Sequence, residues 1–177
     1  MITLTRITNP DSTAYRKAEE LLTATFPRDE YRDLAEQRAN VAGKENFHFM
    51  QAYCNGEFIG LASYWLLDAF CYIEHLATLP AQRGKGHGKR ILEQLQEEHH
   101  RIVLEVEEPI DEITTRRIDF YRRAGFTLCN IPYTQPPYRK GGNSLPMLLM
   151  FHGWEADRIN YERAKESIYR NIYNLKE

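Results

Sequence analysis

The chain has 177 residues, 42% of them apolar, which is enough for one ordinary core and short for two domains. A formal net charge of -2 and a pI near 6.3 supply no field for nucleic acid or anionic lipid, so neither partner is expected. Three scattered cysteines (Cys54, Cys71, Cys129), no signal pattern in residues 1–6 and an apolar stretch (Phe58 to Ile73) too short to span a bilayer point to a soluble, cytoplasmic protein.

Residues 2–8 alternate as a strand. Asn9-Pro10-Asp11-Ser12 is a turn with N-cap candidates, and Ala14, Ala18, Leu21, Leu22 and Thr25 share a helical face that ends at Phe26-Pro27. A second helix is predicted from about Asp29 to Val41, with Tyr31, Leu34, Arg38 and Val41 along one side and Gly43 closing it. Strands follow at Asn46 to Tyr53 and Phe58 to Leu67, joined by the hairpin signal Asn55-Gly56. A third strand, Phe70 to Thr78, runs into a glycine turn. After it come a helix over 88–100, a short buried strand (Ile102 to Val106) broken by Pro109, and a helix over 111–124 capped by Gly125. Phe126 to Ile131 and Leu145 to Phe151 read as strands on either side of a Pro/Tyr/Gly-rich loop (Pro132 to Asn143). Residues 155–175 read as a terminal helix with Tyr161, Ala164, Ile168, Ile172 and Leu175 on one stripe. The order β-α-α-β-β-β-α-β-α-β-β-α predicts an α+β fold: a mixed, mostly antiparallel central sheet flanked by helices. One domain over 1–177 is expected, with 155–177 as a helical extension.

The chemical signal is the turn Arg83-Gly84-Lys85-Gly86-His87-Gly88-Lys89. A glycine-rich turn opening a helix gathers free N–H groups at the positive end of the helix dipole, which is an anion site. A Walker-type loop counted from Gly84 needs a glycine where Lys89 stands, and so does a dinucleotide fingerprint. The latter also sits too late in the chain, although Glu105 lies about 20 residues beyond.

Arg83 to Gly88 satisfies Gln/Arg-x-x-Gly-x-Gly/Ala, preceded by Ile73-Glu74-His75-Leu76-Ala77-Thr78. Asp119-Phe120-Tyr121-Arg122-Arg123-Ala124-Gly125-Phe126 follows one helix and one strand later. Together these resemble the acetyl-CoA strand and loop, and the Phe/Leu-Tyr-x-x-x-Gly-Phe segment, of the GNAT superfamily of N-acetyltransferases. The match is good over about 45–130 and slight over 132–177.

The resemblance implies an acetyl-CoA-dependent N-acetyltransferase of that fold, using direct attack and no metal. The pyrophosphate would rest on the loop of Arg83, Gly84, Lys85, Gly86, His87, Gly88 and Lys89. The pantetheine arm would pair with the backbone of Leu76, Ala77 and Thr78 where the next strand splays away. A backbone N–H near Leu76 or Ala77 would steady the oxyanion. Tyr121 would be the general acid. Thr114 stands where the family often has a cofactor-touching asparagine. An acceptor amine must lose its proton to a base. Glu74 is the candidate: alternation places it with Tyr72 and Leu76, opposite His75, and burial would raise its pKa. Glu105 and Glu107 are alternatives as base or as anchors for a cationic substrate.

The acceptor would be a small-molecule or peptide amine. A different reading is a non-catalytic acyl-CoA-binding module that signals through Tyr161, Ile168 and Ile172. A homodimer built by the terminal helix fits either. Glu97-Glu98-His99-His100 lacks the spacing of a metal site and reads as a solvated helix end. The loop from Tyr133 to Gly142 would lie near the acceptor, either lining a pocket or as a stiff surface loop.

Overall fold

The computed structural model describes residues 1–175; residues 176 and 177, the end of the expected extension, lie outside the described residues. The elements follow the predicted order: β1 (Ile2–Arg6), α1 (Thr13–Thr25), α2 (Leu34–Gly43), β2 (Phe47–Cys54), β3 (Glu57–Leu66), β4 (Cys71–Thr78), α3 (His87–Glu98), β5 (Ile102–Glu107), α4 (Glu112–Arg123), β6 (Thr127–Gln135), β7 (Leu145–His152) and α5 (Arg158–Asn171). The strands form one sheet in the order β1-β2-β3-β4-β5-β7-β6, antiparallel except at β4–β5. The Asn55-Gly56 hairpin closes as read, with both residues at positive φ (51° and 83°), as a two-residue turn of the primed type requires.

Alternation along the strands divides the core between two faces. Tyr15, Leu22, Trp65, Tyr72, Val103, Tyr133 and Ile168 pack on the side covered by α1, α2 and α5. Ile73, Ile91, Leu95, Leu104 and Ile118 pack on the side covered by α3 and α4.

Three expectations change. The second helix does not start at Asp29: a 3-10 turn spans Arg28–Glu30, Tyr31 is extended, and α2 begins at Leu34. The reason is tertiary. Arg32 points inward, and Arg139 fixes the segment by donating to the carbonyls of Tyr31 (2.5 Å) and Arg28 (2.6 Å) and to Asp33 (3.0 Å). The loop after Ile131 is shorter than expected, because β6 continues to Gln135 across a register irregularity between Cys129 and Tyr133. Pro132 is tolerated there because β6 is an edge strand, where no ladder N–H is required. The terminal helix is shorter than expected, Arg158–Asn171, and its stripe packs within the chain. Tyr161, Ala164, Ile168 and Ile172 are buried within the chain, Tyr161 donates to the Pro132 carbonyl (2.8 Å), and only Leu175 of the stripe is exposed.

The feature that positions the site is the β4–β5 junction. Parallel pairing runs from Cys71↔Ile102 to Ile73↔Leu104 and then stops, so the strands splay. At the same level β4 bulges: Ile73 faces Tyr64 and His75 faces Ser63 on β3, leaving Glu74 without a partner.

Candidate active site

Two cavities meet at the splay. The larger, about 540 Å³, lies on the α3/α4 side. Its walls are Leu76, Ala77 and Thr78 of β4, the turn with Arg83, Gly84, Gly86, His87, Gly88 and Lys89, and Arg116, Arg117, Phe120, Tyr121 and Arg123 of α4. Gly84 and Gly86 have φ of 75° and 76°, the left-handed region that a side chain disfavours. Gly86 is the N-cap of α3 and offers no side-chain cap, so the first N–H groups of that helix are left for a ligand. With Arg83, Lys89, Arg116, Arg117 and Arg123 around it, this end of the groove fits a pyrophosphate. Lys85 is the one predicted loop residue outside the groove lining; its ammonium donates to Gln82 Oε1 (3.0 Å). Thr114 does not line the groove either. It forms a reciprocal capping box with Asp111 at the start of α4.

The smaller cavity, about 100 Å³, opens on the other side of the splay between β4, β5, the 3-10 turn and the loop after β6. Leu76, Arg117 and Tyr121 line both cavities. Tyr121 is held by edge-on contacts with Phe120 and Phe126. Burial pushes its hydroxyl up to about 12, against the opposing charge of Arg117, so it keeps its proton at neutral pH.

Glu74 differs from expectation in two ways. The bulge places it on the Tyr72 face but not on that of Leu76, which packs on the α3/α4 side. It also brings His75 to the same side, with Nδ1 only 3.9 Å from Glu74 Oε2. The carboxylate is fully buried and satisfied. Arg32 engages both oxygens, Trp65 Nε1 donates to Oε2 (3.1 Å), and the Tyr138 hydroxyl donates to Oε1 (3.0 Å). Burial alone would raise this carboxyl, but the Arg32 guanidinium outweighs it and holds the pKa below the ordinary value. Arg32 itself is 1% exposed, boxed by the rings of Phe47, Trp65 and Tyr138 at 5.3 to 5.5 Å. His75 is structural. Burial lowers its pKa, Nε2–H donates to the Glu30 carbonyl (2.8 Å), and Nδ1 accepts from Ser63 Oγ (2.9 Å).

Two other carboxyls lining the small cavity are pushed up to about 7. For Glu30 the cause is burial and then the nearby Glu107 charge, offset by Arg117. For Glu105 it is burial, partly offset by hydroxyl donors. Tyr133 donates to Glu105 Oε1 (2.5 Å), and Tyr173 lies 3.2 and 3.1 Å from Oε1 and Oε2. Glu107 is ion-paired with Arg117.

The structure therefore gathers Glu74, Glu105, Glu107, Leu76 and Tyr121 around one opening, and brings the loop tyrosine Tyr138 to the smaller cavity. The sequence reading missed Arg32, Glu30 and Tyr173. A buried glutamate in an apolar strand demands a cation, so Glu74 was a signal that some Arg or Lys must reach it. Which one depends on tertiary contact. Among the described residues, no group of His, Cys, Asp and Glu is placed to hold a metal ion, and no helix is long and apolar enough to cross a membrane.

A mixed sheet that splays beside a helix-opening glycine turn is the architecture of an acyltransferase. The acetyltransferase (GNAT) family model matches residues 12–126, and the chain belongs to that family. A protein of Bacteroides thetaiotaomicron described as a GNAT-family acetyltransferase is 43% identical, with a TM-score of 0.93 over 98% of this chain and 99% of that one. A GNAT family acetyltransferase from Elizabethkingia anophelis, solved with acetyl-CoA bound, shares the fold at 18% identity and a TM-score of 0.58 (85% and 97% of the two chains). So does the ribosomal-protein-alanine N-acetyltransferase from Brucella melitensis, at 22% and 0.56 (84% and 98%). No curated protein matches the chain significantly.

Proposed function

We propose that this protein transfers the acetyl group of acetyl-CoA to the amine of a small molecule or peptide, inside one domain and in the cytoplasm. The observation that carries the reading is that two cavities, one basic and one acidic, meet at Tyr121 and Leu76. The glycine turn and the α4 arginines hold the pyrophosphate of the donor, and Leu76, Ala77 and Thr78 offer edge backbone to the pantetheine arm. The neighbour solved with acetyl-CoA bound supports this choice of donor. A cavity of about 100 Å³ lined by Glu30, Glu105 and Glu107 suits a slender cationic amine.

The base is a carboxylate with a raised pKa. Glu105 suits this role better than Glu74, whose oxygens accept from Arg32, Trp65 and Tyr138. Glu105 takes the amine proton, directly or through water. The nitrogen attacks the thioester carbon, a β4 backbone N–H near Leu76 meets the oxygen's developing charge, and the C–S bond breaks as Tyr121 donates to sulfur.

Release of free thiol from acetyl-CoA across a panel of amines is the test. Release is expected to fall as pH drops below about 7, because Glu105 must be ionised to act. Glu105→Gln removes that limb. An unchanged limb in Glu105→Gln transfers the role to Glu30, whose pKa is also pushed up to about 7. No thiol release with any amine would favour a module that only binds acyl-CoA.

A further inference from the structure

The family match ends at residue 126, yet residues beyond it line the acidic cavity (Gln135, Tyr138 and Met147) and others, Tyr133 and Tyr173, contact its Glu105. Tyr133 lies on β6, Tyr138 in the following loop, and Tyr173 just past α5. Tyr173 is 8% exposed and its hydroxyl reaches both Glu105 oxygens, while Tyr133 reaches one of them. The rings of Tyr138 and Tyr173 lie 5.0 Å apart, and Tyr138 donates to Glu74. The segment just past α5 thus delivers a hydroxyl to the carboxylate proposed as the base.

Building on that reading, we infer that Tyr173, with Tyr133, is a positioning residue that aims Glu105 and stabilises its ionised form, so that the C-terminal segment is part of the acceptor site. Helix packing alone would need no hydroxyl here. Tyr169, four residues earlier on α5, shows the contrast, since its hydroxyl donates to the Thr134 carbonyl (2.5 Å).

The groups facing Glu105 leave Tyr133 and Tyr173 as its protein donors with the shortest contacts. Tyr72 of β4 and Glu74 border it on one side. Glu107 on its own strand, Glu30 and His75 across the cavity, and Arg117 of α4 complete the surroundings. Arg32 is committed to Glu74, and Arg117 to Glu107. A donor to a carboxylate favours the charged form, so losing it moves the pKa up.

The experiment follows the Glu105 carboxyl directly, in the full chain labelled with carbon-13 at the glutamate side-chain carboxyls. The Glu105 signal is identified by its loss in Glu105→Gln. Tyr173→Phe is expected to raise the Glu105 midpoint by about one unit, and Tyr169→Phe to leave it unmoved. A Glu105 midpoint that stays put in Tyr173→Phe, or moves equally in Tyr169→Phe, overturns the inference. A wild-type midpoint in the ordinary carboxylate range removes Glu105 as a base with raised pKa, whatever Tyr173 does, so the two claims fail separately. If Tyr173→Phe unfolds, Tyr133→Phe reads the same shift, and an unmoved midpoint there counts against the inference equally.

Discussion

Tyr121→Phe is expected to lower acetyl transfer by about a hundredfold, the lower end of what a positioned proton donor contributes. Affinity for acetyl-CoA should stay within about twofold, because the ring keeps its contacts with Phe120 and Phe126 and only the hydroxyl is lost. The hydroxyl stands where the two cavities join, and its pKa near 12 keeps it protonated across the working range. That value also sets a demand. A thiolate titrates near 8.5, so complete transfer from a phenol at 12 is uphill unless the phenolate is stabilised. Arg117, whose charge pulls the Tyr121 pKa down, is the group that offsets this cost. In the proposed mechanism the hydroxyl therefore acts first as a hydrogen-bond donor to sulfur as charge develops there. Single-turnover rates of the two proteins, with binding measured separately, check the expectation. A rate within twofold of wild type would remove Tyr121 from the chemistry.

Glu74→Gln is expected to act on the fold more than on the reaction. It leaves the Arg32 charge buried among Phe47, Trp65 and Tyr138 with no full counter-charge. Removing one partner of a buried pair costs about 3–5 kcal/mol. For a chain of this size, each kcal/mol lowers Tm by about 2–4 °C, so a fall of roughly 6–20 °C is expected at neutral pH. The pH dependence has a definite sign. The folded pKa lies below the ordinary 4.5, so the stabilisation is complete above that value and is lost as pH falls through the folded pKa. Thermal unfolding of both proteins at pH 7 and pH 3 tests this. The gap should be wide at pH 7 and narrower at pH 3. A drop under about 2 °C at pH 7 would show that the pair is not a support of the fold.

Local pattern carried much of this architecture. Period-2 runs mark the strands, Asn55-Gly56 marks the hairpin, and the glycine spacing marks the turn that opens α3 and lines the larger cavity. Local signals failed where tertiary contact decided the outcome. Residues 28–33 are all polar or charged except Tyr31, so they read as the solvated start of a helix. In the fold, Arg32 turns inward to Glu74 and the segment cannot be helical there. The alternation rule also misplaced His75 and Leu76, because it assumes an unbroken ladder and β4 bulges at Glu74. Burial of Glu74 was legible, yet the direction of its pKa was not, since that depends on a partner 42 residues away. The role of Tyr173 was equally hidden. On the helix pattern it is one more aromatic residue near a buried stripe, and only the packing of α5 on β6 brings its hydroxyl to Glu105.

Acetyl transfer as proposed depends most on acetyl-CoA occupying the groove between β4, the glycine turn and α4. Thermal unfolding with and without acetyl-CoA tests it most directly. At about 100 times its dissociation constant a ligand adds about 2.7 kcal/mol, which at about 2–4 °C per kcal/mol raises Tm by roughly 5–11 °C. A rise of that size is the expected result, and no rise at saturating acetyl-CoA would contradict the assignment of the groove.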